Sequence, residues 1–232
     1  MKKAKFLYLF LLSIFFFIGC SPKQTKIKTS NSKYCANELS LLSISDSLKK
    51  ITIDYSLEEK PLLSSIEEKV GENVCGELVS FGLILKNEDV IKIQYQKICD
   101  DGIIFCGRKP WKAKILLNEH GLLLIDYELS SIDSVKHWLH QNLMNGKGVK
   151  FKETSIQWQT ETPKDSIEKT FANIMDGYLL KYEDLSQQLF LKKICDLETS
   201  QINILKEKLS FKLQLELEEL IIIPPPPPIQ QE

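Results

Sequence analysis

The chain is 232 residues long, with 43% hydrophobic and 26% charged residues, the profile of an ordinary globular protein. Its 30 basic and 31 acidic side chains leave a formal net charge of −1. Nucleic-acid binding usually needs a basic patch or stripe, so this balance gives no electrostatic case for a nucleic-acid partner.

The chain opens with Lys2, Lys3 and Lys5, followed by an apolar run from Phe6 to Ile18 that only Ser13 interrupts. At about 1.5 Å per residue the run covers about 20 Å, short of the roughly 30 Å hydrocarbon core of a bilayer, so a stable membrane-spanning helix is not expected. A charged start, a short apolar core and a small residue before the break are the order of a secretory signal peptide, assigned to residues 1–19. Phe17-Ile18-Gly19-Cys20 resembles the lipobox of bacterial lipoproteins, matching at Gly19 and Cys20 and departing at Phe17, where that family usually has Leu. The resemblance implies acylation at Cys20, which makes membrane lipid a partner through that residue. Two or more acyl chains hold a protein stably where one holds it marginally. No acidic residue stands at Ser21 or Pro22, which by the same resemblance favours the outer membrane, facing the periplasm. Residues 20–33 carry Cys20 and a polar stretch whose one apolar residue is Ile27, the composition of a flexible tether.

Beyond Cys20 lie 212 residues of the 232, enough for one large domain or two small ones. Among them are Cys35, Cys75, Cys99, Cys106 and Cys195. In an oxidising compartment they allow two bridges and a leftover thiol, with a connectivity that spacing does not decide; five reduced, buried cysteines are the other reading. Cys99 and Cys106 are the candidate disulfide. Asp101-Gly102 favours a tight two-residue turn, which sets Cys99 opposite Ile104 and Cys106 on the diagonal, beyond the usual bridged Cα separation of about 4.4–6.8 Å. Either the loop is wider than Asp-Gly signals, or the two are not partners; the wider loop is preferred.

From Tyr34 the pattern is mixed. Leu39, Leu42, Ile44 and Leu48 predict a short helix, and Ile51 to Tyr55 alternates like a strand. Pro61 opens a helical stretch through Val70. Leu78–Leu85 and Val90–Ile98 read as strands joined around Asn87 and Glu88, and Arg108 to Pro110 mark a boundary. Ala113–Leu117 and Leu122–Leu129 read as a hairpin, with Asn118 and Gly121 at the ends of a type I turn. Ser131 caps a helix with Ile132, Val135, Leu139 and Leu143 on one face, which Gly146 stops. Val149–Thr160 is extended. Ile167, Phe171, Ile174, Tyr178, Tyr182, Leu185 and Leu189 recur at helical spacing and define the longest helix. Ser200 caps a further helix with Ile204, Leu205 and Leu209. Phe211, Leu213, Leu215 and Leu217 then alternate with Lys212, Gln214, Glu216 and Glu218, a half-buried strand. Pro224–Pro228 forms a polyproline II rod of about 15 Å, a stiff end or a ligand for an aromatic groove. These elements predict an α+β protein: a mixed sheet packed against helices, with an N-terminal α+β region over 34–110, a second domain over 111–223 and a proline-rich tail over 224–232.

Hairpin, helix, strand, long helix and final strand also form the order of the periplasmic domain of the ExbD/TolR family. The stretch KAKILLNEHGLLLIDYELSSIDSVKHWLHQNL (112–143) looks like that family's opening hairpin and first helix. Residues 165–209 resemble the extended C-terminal helices of its long, Bacteroidetes-type form, with Tyr178, Leu185, Ser186, Phe190, Leu197 and Gln201 at fitting spacings. The resemblance covers about residues 112–210, mostly through core-type positions. Family members serve proton-driven machines that transmit force across the envelope, and their membrane helix carries an aspartate that handles the proton. Phe6–Ile18 contains no carboxylate, so the resemblance implies that only the envelope-facing domain is kept, with a lipid in place of the motor helix.

Catalytic chemistry finds little footing. His137 and His140 lie three apart on one helix, near enough to share a metal, but no carboxylate or cysteine stands at a ligand spacing, so both read as solvated surface residues. His120 reads as a turn residue. Cys99-Asp100-Asp101 has no second ligand cluster, and no nucleophile elbow or phosphate-cradling loop occurs. Glu216, Glu218 and Glu219 read as a strand's wet face. The expectation is a non-enzymatic, lipid-anchored envelope protein with no catalytic residue, metal site or cofactor. It binds an envelope protein or peptidoglycan, accessory to ExbD/TolR-type energy-transducing transport. The alternative is a ligand-binding or hydrolytic lipoprotein with a polar pocket between its halves.

Overall fold

The computed structural model describes residues 33–71, 77–96, 112–143 and 151–216. In chain order these hold helix α1 (Ala36–Leu41), strand β1 (Lys50–Ile51), α2 (Glu59–Val70), β2 (Leu78–Ile84), β3 (Val90–Gln96), β4 (Lys112–Leu117), β5 (Leu123–Ile125) and β6 (Glu128–Ser130). There follow α3 (Val135–Asn142), β7 (Glu153–Trp158), α4 (Lys164–Phe190), α5 (Thr199–Lys208) and β8 (Leu213–Leu215), with 3-10 turns at Ile132–Ser134 and Ile194–Asp196.

The strands make one sheet in the order β1-β2-β3-β8-β7-β4-β5-β6. Its centre, β3-β8-β7-β4, is parallel, and antiparallel pairs flank it on both sides. Parallel neighbours cannot be joined by tight turns. Helix α3 therefore lies between the β4–β6 meander and β7, and α4 with α5 carries the chain from β7 to β8. The expected class, an α+β fold with a mixed sheet packed against helices, is the class observed. β8 is the seam of the molecule: it pairs with β3 through Gln94–Gln214 and Tyr95–Leu215, and with β7 through Thr154–Leu213. The regions 34–110 and 111–223 thus share one sheet.

Side chains alternate across a strand, so one residue step separates the two faces. Val79, Tyr95, Leu215, Ile156, Ile115 and Ile125 form a continuous cross-strand row on one face. All but Val79 are buried, and the helices bury Leu41, Ile66, Leu139, Phe171, Tyr178 and Leu205 in the same apolar core. Tyr55, Trp158 and Phe171 meet there, with ring centroids 5.6–6.5 Å apart. α3 and α4 cross at Gly177, where a Cβ would stand 3.0 Å from the Lys136 carbonyl oxygen and 3.0 Å from Leu139 Cβ. A residue without a side chain is what allows that approach.

Tyrosines on α4 tie the layers together. The Tyr178 hydroxyl donates to the Lys212 carbonyl at 3.2 Å and lies 3.2 Å from Thr154 Oγ1. Tyr182 donates to the Leu209 carbonyl at 2.6 Å. Burial pushes the Tyr178 phenol up to about 12 and raises Tyr182 and Tyr55 further.

Several local expectations are corrected. α1 stops at Leu41 and Ser43 turns left-handed at φ 58°, so Ile44 and Leu48 lie beyond the helix. Ile51–Tyr55 alternates in burial as expected, but only Lys50–Ile51 is paired as strand. The single strand expected over Leu122–Leu129 is two: Asp126 and Tyr127, at φ 51° and 68°, fold β6 back onto β5. Two positive φ angles in a two-residue loop suit the twist of the flanking strands, here without a glycine to announce them. The type I turn at Asn118 is present, Gly121 N donating to the Asn118 carbonyl at 2.9 Å. Glu198, not Ser200, caps α5, through a capping box with Gln201. Ser131 does cap its turn, accepting from Ser134 N at 3.2 Å. The expected helix stop at Gly146 lies outside the described residues, and α3 ends at Asn142.

Candidate functional site

The face of the sheet turned away from the apolar core carries polar residues along its middle, with Leu116 and Leu124 paired on the same face. Ser80, Gln94, Gln214, Ser155 and Lys114 form a cross-strand row over β2, β3, β8, β7 and β4, one step out of phase with the apolar row. Gln94 Nε2 donates to Ser80 Oγ at 3.3 Å. At the centre, Lys112 Nζ donates to Gln214 Oε1 and to Glu216 Oε1, the latter at 3.3 Å. Lys114 Nζ stands 3.9 Å from Glu216 Oε2. One carboxylate thus lies between two ammonium groups.

Topology explains the cluster. β4 and β8 are not neighbours; β7 runs between them, so the bridging side chains span two strand spacings, about 9.6 Å. The β7 residue in that row is Ser155, small and buried, which leaves room for Lys112, Gln214 and Glu216 to meet across it. The Lys112, Glu216 and Lys114 side chains are only 17%, 16% and 27% exposed, so these charges have lost much of their water. Beside them Lys212 Nζ donates to Glu153 Oε1 at 3.1 Å. Desolvated charges contribute to stability only when their partners stay in place. The arrangement gathers two cations, a carboxylate and amides, each partly exposed, which suits recognition of a polar partner by hydrogen bonds and charge.

The other residues singled out in the sequence are dispersed. Cys20, Cys99 and Cys106 lie outside the described residues, as do Cys75, Glu218 and Glu219. His137 is exposed, His140 Nε2 is 2.6 Å from Asp184 Oδ2, and His120 is an exposed turn residue 3.4 Å from Glu119. His140 is therefore hydrogen-bonded to Asp184 on a helix surface rather than purely solvated. The disulfide among the described residues is Cys35–Cys195, with Cα atoms 6.0 Å apart across 160 positions. This corrects the all-reduced alternative. It fastens the start of α1 to the turn before α5, where Asn37 Nδ2 also donates to the Ile194 and Leu197 carbonyls at 2.9 Å. Nothing in the spacing could announce a pair so far apart. Among the described residues, the three-ligand group that could hold a metal is Cys35, Glu38 and Cys195. The disulfide occupies both sulfurs, and metal ligation needs thiolates. Glu38 is engaged as well, accepting from Cys35 N at 2.7 Å.

No family model matches the chain, and no curated protein or solved structure matches it.

Proposed function

We propose that this is a lipid-anchored envelope protein that binds a partner without catalysing a reaction, through the polar face of its sheet. The observation that carries the reading is the five-strand polar row with Lys112, Lys114, Gln214 and Glu216 clustered over Ser155. Anchoring rests on the lipobox-like Phe17–Cys20 sequence. The partner is an envelope protein or peptidoglycan, in an accessory role to ExbD/TolR-type energy-transducing transport. Support for that setting comes from the sequence resemblance over 112–210 and from the sheet. The 113–129 hairpin and the strand at 213–215 lie in one sheet, an arrangement compatible with that setting.

Two measurements test the reading in turn. Radiolabelled palmitate is expected to incorporate into the wild-type chain and not into Cys20→Ala; equal labelling, or none, removes the anchor. Affinity purification from detergent-solubilised envelope is expected to recover an energy-transducing complex or cell-wall fragments with the wild type, and less with Glu216→Lys. Recovery that ignores the polar face argues against it. Turnover of a hydrolysable substrate by the purified protein favours the ligand-binding or hydrolytic alternative.

A further inference from the structure

The far end of α4 is an apolar tip. Leu189 is 44% and Leu191 87% exposed, while Phe190 between them packs against the core. Leu191 holds φ 55°, a left-handed conformation that costs a residue with a Cβ roughly 1 kcal/mol. The chain then doubles back: Ser186 Oγ donates to the Lys192 carbonyl at 2.6 Å and Ile194 N donates to Glu183 Oε2 at 3.0 Å. The two leucines are left exposed at the helix end, with Lys192 and Lys193 exposed directly after them. Single exposed leucines are ordinary. Two at one helix end, followed by two cations, match a bilayer interface, where apolar groups enter the acyl boundary and lysines meet anionic headgroups.

The length of the chain leading to Cys20 argues for that occupant. Lys33 Nζ is 3.1 Å from Asp176 Oδ1 and the Tyr34 hydroxyl donates to the same oxygen at 2.9 Å, which fixes where the chain joins α4. From Asp176 to Leu191 is about 22 Å along a helix axis. Cys20 precedes Lys33 by thirteen residues, and a chain of that length reaches at most about 45 Å. A bilayer holding Cys20 is thus within reach of the tip. The opposite end of α4 is at a similar distance, but among the described residues its exposed Glu161, Lys164 and Asp165 have no exposed large hydrophobic residue beside them. The Leu189–Lys193 end, followed by exposed Asp196 and Glu198, has two.

We propose that the Leu189–Lys193 tip seats on the membrane that carries Cys20, with Leu189 and Leu191 entering the interface and Lys192 and Lys193 meeting anionic headgroups. The proximity of that membrane rests on the acylation of Cys20 proposed above. The lipidated chain, reconstituted in phosphatidylethanolamine–phosphatidylglycerol vesicles with brominated acyl chains, provides the test. Leu191→Trp is expected to add blue-shifted emission, relative to the unsubstituted protein, that bromine quenches almost completely. Leu129→Trp, on the exposed edge strand β6, is expected to add emission that is not quenched. Adding Lys192→Glu and Lys193→Glu to Leu191→Trp is expected to restore emission. Equal quenching at the two positions, or none at Leu191→Trp, overturns the proposal. Should Cys20 prove unacylated, a His-tagged chain beginning at Cys20 and held by a nickel-chelating lipid replaces the anchor. Quenching at Leu191→Trp then upholds the tip while the anchor reading fails, and unquenched emission overturns the tip.

Discussion

Take two adjacent rows of the same sheet. Along Val79-Tyr95-Leu215-Ile156-Ile115-Ile125 the side chains run into an apolar core shared with the helices. One residue away, Ser80-Gln94-Gln214-Ser155-Lys114 carries hydrogen-bonding groups, and charges from β4 and from the residue after β8 gather beside it. The first row draws its stability from area removed from water and from close packing. In the second, ion pairing largely offsets a desolvation cost, so its net contribution to folding is small. The contrast separates what holds this protein together from what it can offer a partner, and substitutions on the two faces should separate in the same way.

The largest effect is expected on the core face. Phe171→Ala removes a ring from the Tyr55–Trp158 cluster and should destabilise the fold by about 4 kcal/mol, read as a lowered midpoint in urea. A loss under about 1 kcal/mol would mean the cluster is not packed as described. Next comes alkaline pH. A phenol whose folded pKa lies above its unfolded value near 10 stabilises the fold fully below pH 10, and that stability is lost as pH rises through the folded value. With Tyr178 at about 12, the loss between pH 10 and 12 should approach about 3 kcal/mol from this residue alone. Tyr178→Phe should flatten that part of the pH profile.

Smaller effects belong to the polar face. Ser155→Leu places a branched side chain where Lys112 reaches Gln214 and Glu216, and should cost about 2 kcal/mol as well as weakening partner binding. Glu216→Gln removes the charge between two lysines while keeping the shape. It is expected to cost about 2 kcal/mol in stability, with a larger proportional change in binding and a shift in its salt dependence. If Glu216→Gln destabilised as much as Phe171→Ala, the polar cluster would be a structural element and the contrast would fail.

Much of the core face is legible in the sequence because periodicity is a local signal. Phe211, Leu213 and Leu215 alternate with Lys212, Gln214 and Glu216, and the two sets do go to opposite faces. The spacing from Ile167 to Leu189 marks α4 almost end to end. What periodicity cannot carry is who sits beside whom. β8 inserts between β3 and β7, so Gln94 meets a residue far along the chain, and Lys112 reaches Glu216 only because β7 offers a serine between them. The same holds for Cys35 and Cys195, joined across 160 positions with no local mark. Asp126-Tyr127 escaped for a different reason: its left-handed turn is imposed by strand pairing on residues that do not ask for it.

The claim that the polar face is the binding surface is met most directly by site-specific photocross-linking in envelope of the source cells. A benzophenone amino acid replaces Lys92, which neighbours Gln94 on that face, or Leu180, 38% exposed on α4. The account predicts a discrete adduct with an envelope protein or peptidoglycan from the Lys92 position, lost on Glu216→Lys, and none from Leu180. The same adduct from both positions, or from Leu180 alone, would contradict it.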